Sequence, residues 1–230
     1  MGQSGGPKLP VDGLQFLVDT RNITSVDTAY VTDFISKTSA TITSTSLSGL
    51  GVTKGLLLSL ASSILTFANM NNLSFSSLTI SSWIFPVSFG IGNSAGRILD
   101  KGTWAYPHYG YMFYVNNTTA SKAIHYSCGN IITTTGGYIN NSVDLNTWQH
   151  FAVSHSGLTA TFYKNGVSIG SSTNIFGATN VSNMSANIGN SVLSDRAFDG
   201  KVASARIYNR ALSATEIAQL YTSTKGRYGL

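Results

Sequence analysis

The sequence has few charged residues. Only 10% of its 230 residues are Asp, Glu, Lys or Arg, against an average of about 25% in soluble proteins. The formal net charge is +5, but the basic residues are scattered singly, and only Lys225 and Arg227 stand close together. A nucleic-acid-binding protein concentrates its basic residues in a patch or along one helix. The scattered charge therefore argues against nucleic acid as a partner.

Cysteine and long apolar runs are also scarce. The single cysteine, Cys128, excludes an internal disulfide, and no zinc-type spacing of Cys and His is present. The first 13 residues contain no apolar segment, so we predict no secretory signal. The most apolar run, Gly55–Phe67, is shorter than the roughly 20 residues that a membrane-spanning helix needs. We therefore predict no membrane insertion and interpret this run as two strands that meet near Ala61.

The apolar residues that are present follow the rhythm of a β protein. From Leu56 onward, short apolar runs recur at intervals of about ten residues and are bounded by Gly, Asn or Ser, a pattern typical of a sandwich or barrel. Asn165-Gly166 lies between two such runs and favours a tight hairpin turn, because both turn positions need a positive φ. Low charge and 42% hydrophobic residues are consistent with a folded core.

One helix is predicted, from Ser213 to about Thr222. Ser213 and Glu216 have the spacing of a capping box, in which each residue satisfies a backbone N–H of the other. Leu212 and Ile217 have the spacing of a hydrophobic staple across the same helix start.

Five segments, in the same order along the chain, carry a resemblance to a known family. They are LTISSWI (residues 78–84), WQHFAV (148–153), FYKNG (162–166), IG (188–189) and RIYNRALS (206–213). These segments resemble the corresponding strands of laminin-G-like domains, which belong to the concanavalin A-like lectins and glucanases. The resemblance extends over residues 11–223.

The resemblance implies an all-β fold, a two-sheet antiparallel jelly-roll sandwich with one short C-terminal helix. It divides the chain into a flexible N-terminal arm (residues 1–12), a laminin-G-like domain (13–224) and a short basic tail (225–230).

The family includes retaining glucanases, which carry two glutamates and an aspartate in the pattern E-x-D-x-E. Retaining hydrolysis needs two carboxyl groups about 5–5.5 Å apart. The only glutamate here is Glu216, which the capping box already explains, and only Asp195 and Asp199 have a four-residue spacing. We therefore predict that the protein is not an enzyme.

An aromatic segment is the first candidate binding site. Trp104, Tyr106 and Tyr109 precede a strand and are separated by Pro and Gly, as expected in a loop. Exposed aromatic rings often mark an interaction surface, so these three residues are candidate sugar-binding residues. The alternative is that Trp104 and Tyr106 cover a sheet edge, while Tyr111 and Phe113 alternate into the core.

Calcium is the second candidate. The resemblance implies a possible calcium ion at the sandwich rim, and Asp100, Asp195 and Asp199 are the candidate ligands in predicted loops. Calcium requires six to eight oxygen ligands. The acidic pair that the family often has before RIYNRALS is replaced here by Ala203 and Ser204.

Three function classes follow. The resemblance favours a non-catalytic structural or adhesion protein of a virus particle, because free-standing domains of this kind are common in bacteriophage capsid decoration, tail and fibre proteins. Its expected place is the virion surface, and its expected partners are other virion proteins, further copies of itself, and glycans. The alternatives are a soluble carbohydrate-binding lectin module of a secreted protein and, disfavoured by the lack of a suitable carboxylate pair, a glycoside hydrolase.

Overall fold

In the computed structural model of the protein, the described residues are 9–20, 31–43, 46–47, 55–103, 108–118, 121–131, 134–176 and 184–230. About half of these residues lie in β-strands, and the one α-helix among them lies near the C-terminus. No helix in these ranges combines the length and apolar character needed to cross a bilayer.

The strands are numbered in chain order. They are β1 (Leu14–Asp19), β2 (Thr41–Thr43), β3 (Ser46–Leu47), β4 (Leu56–Leu58), β5 (Ile64–Phe67), β6 (Leu78–Pro86), β7 (Ile91–Gly92), β8 (Arg97–Thr103), β9 (His108–Asn116), β10 (Ala123–Ile131), β11 (Thr134–Ile139), β12 (Gln149–Ser156), β13 (Thr159–Lys164), β14 (Val167–Ser172), β15 (Ala186–Ile188), β16 (Arg196–Ala197) and β17 (Gly200–Tyr208). The helix α1 (Ala214–Thr224) runs into a 3₁₀ turn, Lys225–Tyr228.

Two large antiparallel sheets form the sandwich. The eight-stranded sheet has the order β14-β13-β12-β6-β17-β4-β3, with β1 also paired to β17. The seven-stranded sheet has the order β11-β10-β9-β8-β15-β5-β2, and β16 and β7 form a small separate ribbon. The predicted two-sheet jelly-roll class with one C-terminal helix is confirmed.

The core lies between the two sheets, and β9 shows how the sequence specifies it. Side chains alternate between the two faces of a strand. Tyr111, Phe113 and Val115 enter the main core, as expected, whereas Met112 and Tyr114 form a separate small cluster on the opposite face. Met112 and Tyr114, which lie between the core positions of β9, therefore form part of the outer face of the seven-stranded sheet.

The predicted hairpin joins β13 to β14. Asn165 and Gly166 have φ values of 50° and 80°, which a two-residue turn of this kind requires at both positions. The backbone N of His150 donates to Asn165 Oδ1 at 3.0 Å, so the turn is also fixed to the neighbouring strand β12.

The predicted helix start is present in full. The Ser213 side chain accepts a hydrogen bond from the backbone N of Glu216, and the Glu216 carboxylate accepts one from the backbone N of Ser213 at 2.9 Å. Leu212 and Ile217 pack in one cluster. Arg210 adds a bidentate pair to Glu216, at 3.1 and 2.6 Å. The only glutamate of the sequence is thus committed to holding the helix.

Both ends of the described chain lie against the eight-stranded sheet. Tyr208 Oη donates to the carbonyl of Pro10 at 3.0 Å, and Arg210 Nε lies 3.0 Å from Asp12 Oδ2. In the C-terminal 3₁₀ turn, the ring of Tyr228 stacks on Trp83 with a centroid distance of 4.1 Å. Residues 9–12 and 225–228 therefore make defined contacts with the sandwich.

We expect acid to weaken the helix start through Glu216. The hydrogen bond from Arg210, together with those from Ser213, lowers the pKa of Glu216 to about 2. A lowered pKa stabilises the fold above the unfolded-state pKa of about 4.3, and this stabilisation is lost as the pH falls toward 2. Glu216→Gln should lower the free energy of unfolding at neutral pH by about 1 kcal/mol and flatten its dependence on pH in that window. Urea unfolding at a series of pH values measures both effects.

The matched control is Asp144→Asn, because the Asp144 carboxylate is 64% exposed and pairs with Lys164 at the surface. This variant should keep the acid dependence of the unmodified protein. An unchanged acid dependence in Glu216→Gln would contradict the role given to the carboxylate.

Candidate functional site

Four planar side chains form a row across the outer face of the seven-stranded sheet. Because Phe113 points into the core, its neighbour Tyr114 points to the outer face. Tyr114 lies opposite Arg97 of β8 and opposite His125 of β10, and His125 lies opposite Tyr138 of β11. We call these four residues the stack.

The members of the stack are in contact. The Arg97 guanidinium lies over the Tyr114 ring, 4.2 Å from its centroid. The rings of Tyr114 and His125 stack at 4.9 Å, and those of His125 and Tyr138 at 4.8 Å with an interplanar angle of 17°. Each ring therefore fixes the orientation of the next.

Exposure rises along the stack toward the edge of the sheet. Arg97 is 1% exposed and Tyr114 is 5% exposed, but Tyr138 is 53% exposed. Strand β11 is the terminal strand of the seven-stranded sheet. Tyr138 thus presents a large, oriented aromatic surface to solvent, supported from behind by His125.

A groove runs along the stack and consists of two adjoining cavities, of about 480 and 390 Å³. Besides stack residues, the first cavity is lined by Asn116, Thr118, Ser121, Asn140 and Asn141. The second is lined by Asn93, Ala95, Asn116, Thr118 and Arg196. We call the two together the outer-face groove. Amides and hydroxyls, which both donate and accept hydrogen bonds, dominate its walls.

Two turns build the polar wall. Asn116 ends β9, and its Oδ1 accepts hydrogen bonds from the backbone N and the Oγ1 of Thr118, at 2.7 and 2.8 Å. Asn141, after β11, has a φ of 52°, a conformation that asparagine adopts more readily than most residues. Its backbone N donates to the Ser121 carbonyl at 2.8 Å. The wall is therefore held by bonds within and between the turns.

The groove contains buried polar atoms that lack a partner. Among the described residues, His125 Nε2 and Arg97 Nη1 make no hydrogen bond. Burial and, second, the charge of Arg97 lower the pKa of His125 to about 4, so the imidazole is neutral at physiological pH. A buried polar group without a hydrogen-bond partner destabilises the folded protein. A ligand that supplies the missing partner removes this penalty.

The family of this chain is shown by its sequence. A profile of the Concanavalin A-like lectin/glucanases superfamily matches residues 61–218. The chain belongs to this superfamily. No curated protein sequence matches it.

Several solved structures share the fold. The binding domain of Paraclostridial Mosquitocidal Protein 1 has a TM-score of 0.65 at 17% identity, over 91% of this chain and 52% of that one. Domain 4 of AbnA, an extracellular GH43 arabinanase of Geobacillus stearothermophilus solved with arabinotriose, has a TM-score of 0.63 at 18% identity, over 90% and 98% of the chains. A ganglioside-dependent botulinum neurotoxin type C structure has a TM-score of 0.64 at 15% identity, over 92% and 51%. The chain thus spans about half the length of the first and third of these structures.

The aromatic residues predicted to bind a ligand are not those of the stack. Trp104 and Tyr106 lie outside the described residues. Tyr109 lies in β9, is opposite Thr103, and does not line the outer-face groove. Tyr138 was not among the predicted site residues, because its only sequence signal is an aromatic residue out of phase with the core positions of its strand.

The three aspartates predicted as calcium ligands lie in different surroundings. Asp100 was expected in a loop, but it lies within β8 and is 2% exposed, because Arg97 Nε, 3.0 Å from its Oδ2, offsets its charge. Asp195 accepts a hydrogen bond from Ser191 Oγ at 2.6 Å, and the carbonyl of Asp199 accepts one from Val87. In the described ranges, no three His, Cys, Asp or Glu residues form a metal-binding group. Calcium binding stays a prediction.

Another groove, of about 580 Å³, lies beside β1 and β17 and is larger than either single cavity of the outer-face groove. Its walls are mostly apolar, and its charged groups satisfy one another. Asp19 Oδ2 lies 3.4 Å from Arg206 Nη2 and 2.8 Å from Arg227 Nη1, while Arg206 Nη1 donates to Ser204 Oγ. This groove offers a ligand fewer directional partners than the outer-face groove does.

Proposed function

We propose that this domain binds glycans without cleaving them, and that the outer-face groove is the binding site. The observation that carries the proposal is Tyr138, an exposed ring held flat by the stack and bordered by amide and hydroxyl side chains. Protein sites for small polar ligands combine an aromatic or apolar surface with a few well-placed polar groups.

The chemistry of a sugar fits this arrangement. One face of a pyranose or furanose ring carries mostly C–H groups and can lie on Tyr138, while the hydroxyls at its rim need hydrogen-bond partners. Asn140 and Asn141 stand beside that ring, and Asn116 and Thr118 line the groove farther along. An oligosaccharide running from Tyr138 toward Arg97 would therefore meet amides along its length.

Two further observations support a binding role. The structurally similar domain of AbnA was solved with arabinotriose, and the similar neurotoxin structure concerns ganglioside binding. Within this chain, Glu216 is engaged by Arg210 and the helix start, and Asp195 is engaged by Ser191 and Arg196. These carboxylates have structural partners and are not paired across the groove for acid–base chemistry.

A glycan array followed by a hydrolysis assay tests this function. The protein should retain at least one class of oligosaccharide, and the bound glycan should be recovered intact after prolonged incubation. Release of shorter sugars would show a hydrolase. Absence of binding across an array that includes plant, bacterial and animal glycans would overturn the proposal.

The place of the domain on a virus particle stays a prediction from the family resemblance, as does assembly into oligomers. Glycan binding is compatible with a virion adhesion protein and equally with a free lectin. Mass spectrometry of purified particles of the source virus distinguishes them, because a virion component must be present in the particles.

A further inference from the structure

Two arginines line one end of the outer-face groove. Arg97 and Arg196 both border the second cavity, together with the neutral side chains of Asn93, Asn116 and Thr118. The opposite end, at Tyr138, has no charged lining residue among those described. The groove is therefore asymmetric, with an aromatic end and an end lined by two arginines.

Arg97 has donor capacity that the protein leaves unused. Its Nε lies 3.0 Å from Asp100 Oδ2, and its guanidinium plane is covered by Tyr114. Within the described part of the chain, Nη1 is buried and makes no hydrogen bond. An arginine has five N–H donors in a fixed planar fork, so the pairing with Asp100 leaves donors of Arg97 without a protein partner at the wall of the second cavity.

Arg196 is held only loosely. Its Nη1 lies 3.3 Å from Asp195 Oδ2, and the two side chains are 31% and 45% exposed. An ion pair this exposed contributes little, so a competing anion can replace Asp195 at small cost. Asn93 Nδ2 donates to the Asp195 carbonyl at 3.2 Å, which keeps this turn beside the groove.

The ligand group that best matches two guanidinium groups is a carboxylate. Arginine binds a carboxylate through two parallel N–H···O bonds, and such charge-assisted bonds are about twice as strong as neutral ones. Neutral sugars offer hydroxyls, which satisfy the amides of the groove but gain no charge pairing from the arginines. Asp100 already pairs with Arg97, and Asp195 with Arg196. Each aspartate leaves some of the N–H donors of its arginine unused.

We propose that the Arg97–Arg196 end of the outer-face groove binds the carboxylate of an acidic sugar, so that the domain selects glycans containing uronic or sialic acid over their neutral counterparts. This inference rests on the proposed glycan-binding function. It assigns Tyr138 to stacking on a sugar ring and the arginine end to recognition of charge.

Matched ligands test the inference by isothermal titration calorimetry. Trigalacturonate is compared with its methyl ester, and sialyllactose with its methyl ester, because the members of each pair differ only in whether the carboxylates are free or esterified. The acidic member of at least one pair should bind about 10-fold or more tighter, and added salt should reduce that preference. The pair that responds identifies which acidic sugar is bound.

The decisive variant is Arg196→Gln, which keeps a polar side chain at a partly exposed position and should leave the fold intact by circular dichroism. It should weaken binding of the acidic member much more than binding of its neutral counterpart, so that the acidic preference falls to about 3-fold or less. The control is Arg227→Gln, which removes an arginine of the 3₁₀ turn beside the eight-stranded sheet and should leave the preference as it was.

The results of these experiments distinguish the acidic-sugar inference from the glycan-binding function on which it rests. Equal binding of acidic and neutral members overturns the acidic-sugar inference and leaves glycan binding standing. An acidic preference that persists in Arg196→Gln also overturns it, since the charge would then be recognised elsewhere. Absence of binding to these ligands and to the whole glycan array overturns the proposed function itself.

Discussion

Replacing Tyr138 with alanine is expected to weaken glycan binding by about 30-fold or more. Tyr138 is the most exposed member of the stack, and His125 holds its ring in one orientation at 4.8 Å. A pre-oriented aromatic surface loses little conformational freedom on binding. Removal of such a central aromatic residue commonly costs about 2 kcal/mol or more, which corresponds to about 30-fold in affinity. Calorimetry with the best ligand from a glycan array measures the effect.

Two variants separate stacking from other roles of Tyr138. Tyr138→Phe keeps the ring and removes one hydroxyl, so binding should weaken by less than about 10-fold. Phe34→Ala removes a partly exposed ring beside the groove of the other sheet and should leave affinity unchanged. If Tyr138→Ala binds as tightly as the unmodified protein, the outer-face groove is not the glycan site.

The alanine variant should remain folded, which makes this result interpretable. Tyr138 lies on a terminal strand, so its removal leaves no buried cavity. The loss of its contact with His125 should lower the free energy of unfolding by only about 1 kcal/mol. A thermal melt of each variant checks this before affinities are compared.

Replacing Trp83 with alanine is expected to give the largest loss of stability. Trp83 is fully buried in β6, on the face that the C-terminal helix covers. Its ring stacks on Tyr228 at 4.1 Å and on Tyr221 at 5.8 Å, and its Nε1 donates to Thr224 Oγ1 at 2.9 Å. It therefore joins the sheet both to α1 and to the 3₁₀ turn.

Loss of a buried tryptophan costs about 3–5 kcal/mol, and for a domain of this size that lowers the melting temperature by roughly 6–20 °C. Calorimetry of Trp83→Ala measures the change. Trp83→Phe keeps an aromatic ring in the stack and should lose less than half as much. Trp148→Ala removes a half-buried ring that contacts Tyr228 at 4.8 Å and should also lose less. A Trp83→Ala melt within about 2 °C of the unmodified protein would contradict this role.

The features predicted from sequence are those whose partners are close in the chain. The capping box needs only Ser213 and Glu216, three residues apart, and the hairpin needs only Asn165 and Gly166. Both are present as predicted because a local backbone conformation is enough to form them. The alternation of Tyr111 and Phe113 likewise predicts which side of β9 is buried.

The candidate site was not predicted because its partners are distant in the chain. Arg97, Tyr114, His125 and Tyr138 lie on four strands, and a bulge between Arg97 and Leu99 shifts the register of the first pair. A register change of one residue would turn a member of the stack to the core face.

The sequence by itself determined that this is a two-sheet sandwich of the concanavalin A-like superfamily, closed by one capped helix. It also determined that the family's glucanase motif is absent, because that motif needs two glutamates and the sequence has one. Only the tertiary structure decided where the candidate site lies, because strand register, and not spacing along the chain, brings an arginine, two tyrosines and a histidine into one stack. Cross-strand neighbours are chosen when the sheet forms, so the groove that they line exists only in the folded protein.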